Sequence, residues 1–189
     1  MTKETDQQLV DRVLNGNQDA FNFLVLRYQH RVAALVNRFV HDPQETEDVC
    51  QEAFIKAYRA LSRFRGDSAF YTWLYRIAVN TAKNHLVARN RRPPADDLSI
   101  EDAELSDAGA AFQEIASPEA NLATEHLKQE IEQGIEELPD DLRTAFTLRE
   151  FSGLSYEEIA EVMDCPVGTV RSRIFRARET IDKRIKDLL

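Results

Sequence analysis

At 189 residues, 43% hydrophobic and with a net charge of −9 at pH 7, the chain has room for one or two small packed domains. No apolar run approaches the length of a bilayer span, and the polar start MTKETDQQLV lacks a secretory core, so the sequence reads as soluble and cytoplasmic. Two distant cysteines, four scattered histidines and no nucleophile elbow, phosphate-binding glycine loop or HExxH pattern argue against a disulfide framework, metal site, cofactor or enzyme.

Only 6 Gly and 6 Pro, many helix formers and no sustained alternation predict an all-α fold. The first predicted element is a short amphipathic helix from Asp6 to Leu14, closed by Asn15-Gly16-Asn17. A longer helix follows from about Gln18. Phe21, Leu24, Val25, Tyr28, Val32, Leu35, Val36 and Phe39 recur on it at helical spacing, and His41-Asp42-Pro43 ends it. A third runs from about Glu45 to Leu61, with Val49, Ala53, Ile55 and Ala57 as its small or apolar positions. Asp48 and Glu52, four apart, project from one face, and an ordinary solvated face accounts for them while no partner is in view.

Ser62 to Ser68 reads as a loop, with Gly66 in the turn and Asp67 or Ser68 capping the next helix. Phe64, Phe70, Tyr71, Trp73 and Tyr75 crowd around it, interleaved with Arg63, Arg65 and Arg76. The helix that follows, to about Arg89, carries Arg76, Asn80, Lys83 and Asn84 on a polar side, while Leu74, Ile77, Ala78 and part of Trp73 face inward. Aromatics mixed with Arg and Asn suit single-stranded bases, which need faces to stack on and partners for their edges. Core packing of a small helical domain explains the same aromatics equally well.

Charge is unevenly spread. Residues 1–94 hold 14 Lys/Arg against 10 Asp/Glu, and residues 95–130 hold 1 against 10. The segment 95–117 therefore reads as a flexible acidic linker between domains at 1–94 and 118–189. Hydrogen exchange should find no strong protection there, and the two domains should move independently unless a partner clamps them. Helices then resume at Ser117-Pro118, reaching about Glu137, and at Pro139-Asp140, reaching Phe151 before Gly153.

The last stretch, 155–178, reads as a helix-turn-helix. Ser155 and Glu158 form a capping box, Asp164-Cys165-Pro166 breaks the first helix, and Pro166 suits the first position of the second. On that second helix Val170, Ile174, Ala177 and Ile181 share one packed arc. Arg171, Ser172, Phe175, Arg176 and Glu179 lie opposite, with Arg173 and Arg178 on the flanks. Arg171 to Arg178 contains four arginines and no acid, a surface suited to guanine edges and thymine methyls in a major groove. Local potential, more than the net charge of −9, governs encounter with DNA.

The strings DVCQEAFIKAYRAL with FRGDSAFYTWLYRIAVNTAKN, and LPDDLRTAFTLREFSGLSYEEIAEVMDCPVGTVRSRIFRAR, resemble the second and fourth conserved regions of bacterial extracytoplasmic-function RNA polymerase sigma factors of the sigma-E type. The resemblance covers nearly the whole chain. It implies that Asp48, Gln51, Glu52, Phe54 and Ile55 dock on the β′ clamp helices of core RNA polymerase. It implies that Lys56, Phe64, Arg65, Gly66, Asp67, Ser68, Ala69, Arg76, Ile77, Asn80 and Lys83 capture the melted strand of the minus-ten element. Arg149, Thr169, Arg171, Ser172, Phe175 and Arg176 would read the minus-thirty-five element, and the apolar surface before that helix would meet the β flap. The acidic tether would run toward the active-site cleft and RNA exit path. A membrane-anchored anti-sigma factor and an envelope-stress regulon are also implied, with no direct membrane insertion.

A stand-alone regulator, binding duplex operator through the same helix, would leave the aromatic loop and the Asp48/Glu52 face unused. A pure protein-binding module would leave the arginine face unused.

Overall fold

The computed structural model describes residues 4–91 and 118–186, with side chains from 127 onward in the second stretch. The predicted linker at 95–117, including the Ser117 cap, lies outside the described residues. In chain order come α1 (Asp6–Leu14), α2 (Asp19–Val40), α3 (Pro43–Ala60), a 3-10 turn (Leu61–Arg63) and α4 (Phe70–Arg91). After them stand α5 (Pro118–Glu136), α6 (Asp140–Glu150), α7 (Tyr156–Met163) and α8 (Val167–Lys186). The described residues are all-helical, as the composition predicted.

In the first bundle α2 packs on α1, α3 and α4, burying Leu24, Tyr28, Val32, Leu35, Val36 and Phe39. Phe64, Phe70 and Trp73 form a ring cluster with centroids 5.2 to 5.7 Å apart, which braces the loop before α4. Gly66 sits in that loop at φ +75°, a conformation a side chain rarely adopts. One local expectation shifts. The α4 helix starts at Phe70 behind Ala69, whose carbonyl accepts from Thr72 and Trp73, so the cap falls after Asp67 and Ser68. Ile55 is 50% exposed, while α3 turns Thr46, Val49, Ala53, Phe54 and Ala57 into the core. Cys50 is half-buried on the same helix, and burial together with the Glu47 carboxylate pushes its thiol up to about 11. It stays protonated and weakly nucleophilic near neutral pH.

In the second bundle α8 packs across α5, α6 and α7. Its buried residues are Val170, Ile174, Ala177 and Ile181, the arc that helical spacing predicts. The α7 capping box forms in both directions, and Asp164 ends α7 in the left-handed conformation at φ 51°. Helix α8 begins at Val167, so Pro166 stands just before it, its carbonyl accepting from Thr169 and Val170. Ile174 is 2% exposed while its neighbour Phe175 is 67% exposed. Ile174→Ala should therefore cost about 2–5 kcal/mol in urea unfolding, whereas Phe175→Ala should fall within about 0.5 kcal/mol of the parent.

The two bundles are docked on one another. Helix α4 lies against α7, and buried apolar side chains of both bundles join in one cluster. The Tyr71 hydroxyl donates to Glu158, whose other oxygen accepts from the Ser155 amide at 2.7 Å. Arg76 meets Asp164 at 3.4 Å, Lys83 meets Asp141 at 3.5 Å, and the Arg38 guanidinium lies 4.0 Å from the centre of the Phe151 ring.

Candidate nucleic-acid interface

Helix α8 presents its outer face because its inner arc is held against three helices. Arg171, Ser172, Phe175 and Arg176 are all exposed, and Thr169 is half-buried one turn earlier. The Ser172 hydroxyl donates to the Thr169 carbonyl at 2.9 Å, leaving its oxygen free to accept. The flanking arginines behave differently. Arg173 donates to Asp141 at 2.5 Å and contacts the Cys165 sulfur at 3.3 Å, while Arg178 pairs with Glu150 at 2.5 Å. The Glu150 hydrogen bond and charge raise the Arg178 pKa. Among the described residues Arg149, Arg171 and Arg176 have no carboxylate partner, so these three carry the uncompensated positive charge of this edge.

Arg149 comes from α6 and is half-buried, donating to the Leu154 carbonyl at 2.7 Å. Its guanidinium lies 4.9 Å from the centre of the Tyr156 ring, and that of Arg171 lies 5.8 Å from the same centre. Periodicity on α8 could not show this meeting, since it joins three helices.

On the first bundle, Arg65, Gly66, Asp67 and Ala69 are exposed, and Phe64 and Ser68 are half-buried beside them. Arg76 and Asn80 are exposed one turn apart on α4, with Ile77 and Lys83 half-buried. Lys56 of α3 pairs with Glu52 at 2.7 Å and reaches the Thr81 hydroxyl of α4 at 3.4 Å, which places it on the same side. These residues form one surface of exposed loop backbone, ring edges and cations, able to accept unstacked bases and their phosphates. Two of its cations, Arg76 and Lys83, face carboxylates of the second bundle. A hollow of about 240 Å³ between Asp67, Trp73, Arg76, Glu161 and Asp164 separates the loop from α7.

The α3 face borders this surface through the Glu52–Lys56 pair. Asp48, Gln51, Glu52 and Ile55 are exposed, with Phe54 buried beneath them at 9%. Ile55 and the 38%-exposed Tyr58 line a shallow apolar groove with Phe21 and Val25 of α2. Carboxylates beside exposed apolar side chains suit a basic, partly apolar protein partner. Among the described residues no group of His, Cys, Asp and Glu is placed to hold a metal, and no helix is long and apolar enough to cross a membrane.

Known proteins match both halves. The family model for Sigma-70 region 2 covers residues 24–92, and that for Sigma-70, region 4, covers 128–181. The RNA polymerase sigma-H factor of Pseudomonas aeruginosa is 64% identical over 100% of this chain and 98% of its own. The ECF RNA polymerase sigma-E factor of Escherichia coli is 63% identical over 98% of this chain and 96% of its own. Among solved structures, CnrH in complex with the cytosolic domain of CnrY has a TM-score of 0.69 at 26% identity, covering 97% of this chain and 99% of that one. The Bartonella quintana sigma factor RpoE, solved with the anti-sigma factor NepR, shares the fold at TM-score 0.68 and 24% identity, covering 88% of this chain and 96% of that one. A stand-alone regulator is set aside by these relatives. The chain belongs to the extracytoplasmic-function group of sigma-70 RNA polymerase sigma factors.

Proposed function

We propose that this sigma factor divides promoter recognition between its two bundles, and that the docked arrangement is a closed form which opens on polymerase. Asp48, Gln51, Glu52 and Ile55 meet the β′ clamp helices, with Phe54 supporting Ile55 from beneath. Phe64 to Ala69, with Lys56, Arg76, Ile77, Asn80 and Lys83, hold the melted minus-ten strand. Arg149, Thr169, Arg171, Ser172, Phe175 and Arg176 read the minus-thirty-five duplex, and the β flap meets the second bundle. Polymerase supplies the bond chemistry.

The observation that carries this reading is the docking itself. Elements about 25 base pairs apart lie on the order of 80 Å apart along straight duplex. Arg76 and Lys83 of the strand-capturing surface instead sit 3.4 and 3.5 Å from carboxylates of the duplex-reading bundle. Asp141 also holds Arg173 of α8 at 2.5 Å, so one carboxylate engages both surfaces. Both elements cannot be read in that state. The 26 residues of 92–117 span at most about 90 Å when extended, enough for separation.

Between α2 and α4 on one side and α6 and α7 on the other lies a cleft of about 640 Å³, lined by Arg31, Arg38, Tyr71, Tyr75, Phe151 and Glu158. It suits a helical segment wedged against both bundles, and we assign it to a membrane-anchored anti-sigma factor that holds the otherwise cytoplasmic chain. An envelope-stress regulon follows from the same reading. Transcription from a cognate promoter with purified core polymerase, with and without this chain, tests the function. Product should appear only with the chain, and equal product without it would end the reading.

A further inference from the structure

The meeting of Arg149 and Arg171 on one ring has a functional use that neither the motif nor the helical arc contains. We propose that Tyr156 is a positioning residue for duplex reading, its ring aligning both guanidiniums along one edge of the helix-turn-helix toward the same stretch of DNA. This rests on the reading of α8 as the minus-thirty-five surface.

Three features converge. First, Tyr156 is itself held, since it is the first helical residue after Ser155, whose capping box with Glu158 closes in both directions. Second, Arg149 is tied at two points, by the Leu154 carbonyl at 2.7 Å and by the ring at 4.9 Å, while Arg171 reaches the same ring at 5.8 Å. Third, among the described residues neither arginine is ion-paired, whereas Arg173 and Arg178 each have a carboxylate.

Two unpaired cations brought to one place repel, and a long arginine chain loses rotamer freedom when it binds. The negative face of an aromatic ring offsets the first effect, and stacking beforehand lessens the second. The contact is made by the ring rather than the hydroxyl, which separates positioning from direct DNA contact by Tyr156.

The test uses the full chain on core polymerase, with promoter duplex carrying either an intact or a scrambled minus-thirty-five element. Tyr156→Leu should weaken binding to the intact element about 5- to 30-fold and leave the scrambled one unchanged, while Tyr156→Phe should stay within about twofold of the parent. Should the Leu variant lower the melting temperature, Tyr156→Met, flexible and without a ring, replaces it. Arg176→Ala serves as the reference. Parental binding by Tyr156→Leu alongside loss in Arg176→Ala would overturn the positioning role and leave duplex reading intact. Equal losses in the Phe and Leu variants would overturn it in favour of a hydroxyl contact. No loss in Arg176→Ala would remove duplex reading and this role together.

Discussion

On a cognate promoter, permanganate is expected to modify minus-ten thymines only when core polymerase and this chain are both present. The chain alone should give no signal, because Arg76 and Lys83 face Asp164 and Asp141 in the docked form. Core alone supplies no surface for the displaced strand. With both, the loop from Phe64 to Ala69 and the α4 side chains are released to hold unstacked bases, and that binding offsets the cost of unpairing. Asn80 is exposed one turn from Arg76, so its amide can reach a base edge. Asn80→Ala should reduce thymine reactivity about tenfold, corresponding to roughly 1–2 kcal/mol from one lost polar contact. Reactivity with the chain alone, or undiminished reactivity in the variant, would contradict the assignment.

Arg176→Ala is expected to cost about 1–3 kcal/mol on an intact minus-thirty-five element and little on scrambled duplex, the signature of a bidentate base contact. The side chain is exposed on the outer face of α8 and has no carboxylate partner among the described residues. Arg173→Ala and Arg178→Ala should act more weakly and alike on both duplexes, lowering the salt dependence by less than one phosphate contact each. Their charges are already shared with Asp141 and Glu150 at 2.5 Å. Filter binding of the reconstituted polymerase across a salt series separates the cases. Equal loss on specific and scrambled DNA in Arg176→Ala would make it a phosphate contact instead.

Much of the fold and part of the candidate site could be read from local pattern. Val170, Ile174, Ala177 and Ile181 are the buried residues of α8, and their spacing alone names them, because a helix with one apolar arc packs that arc inward. The opposite face, with Arg171, Ser172, Phe175 and Arg176, is left to solvent by the same rule. The Ser155–Glu158 capping box is equally local, since its partners are three residues apart. Which apolar residue of α3 turns outward is less plain from pattern, and Ile55 is 50% exposed beside Gln51 and Glu52.

What the tertiary structure alone decided are the meetings between distant segments. Tyr71 and Glu158 are 87 residues apart in the chain and share a hydrogen bond. Asp141 reaches Lys83 of α4 and Arg173 of α8, and Tyr156 gathers arginines from α6 and α8. Periodicity reports which face of a helix is apolar, never which other helix covers it. The sequence thus determined a helical chain with one strand-suited and one duplex-suited surface. Which cations on those surfaces are free and which already paired follows from the packing of α4 on α7 and of α6 on α8, because charge pairing depends on separations of a few ångströms that only packing sets.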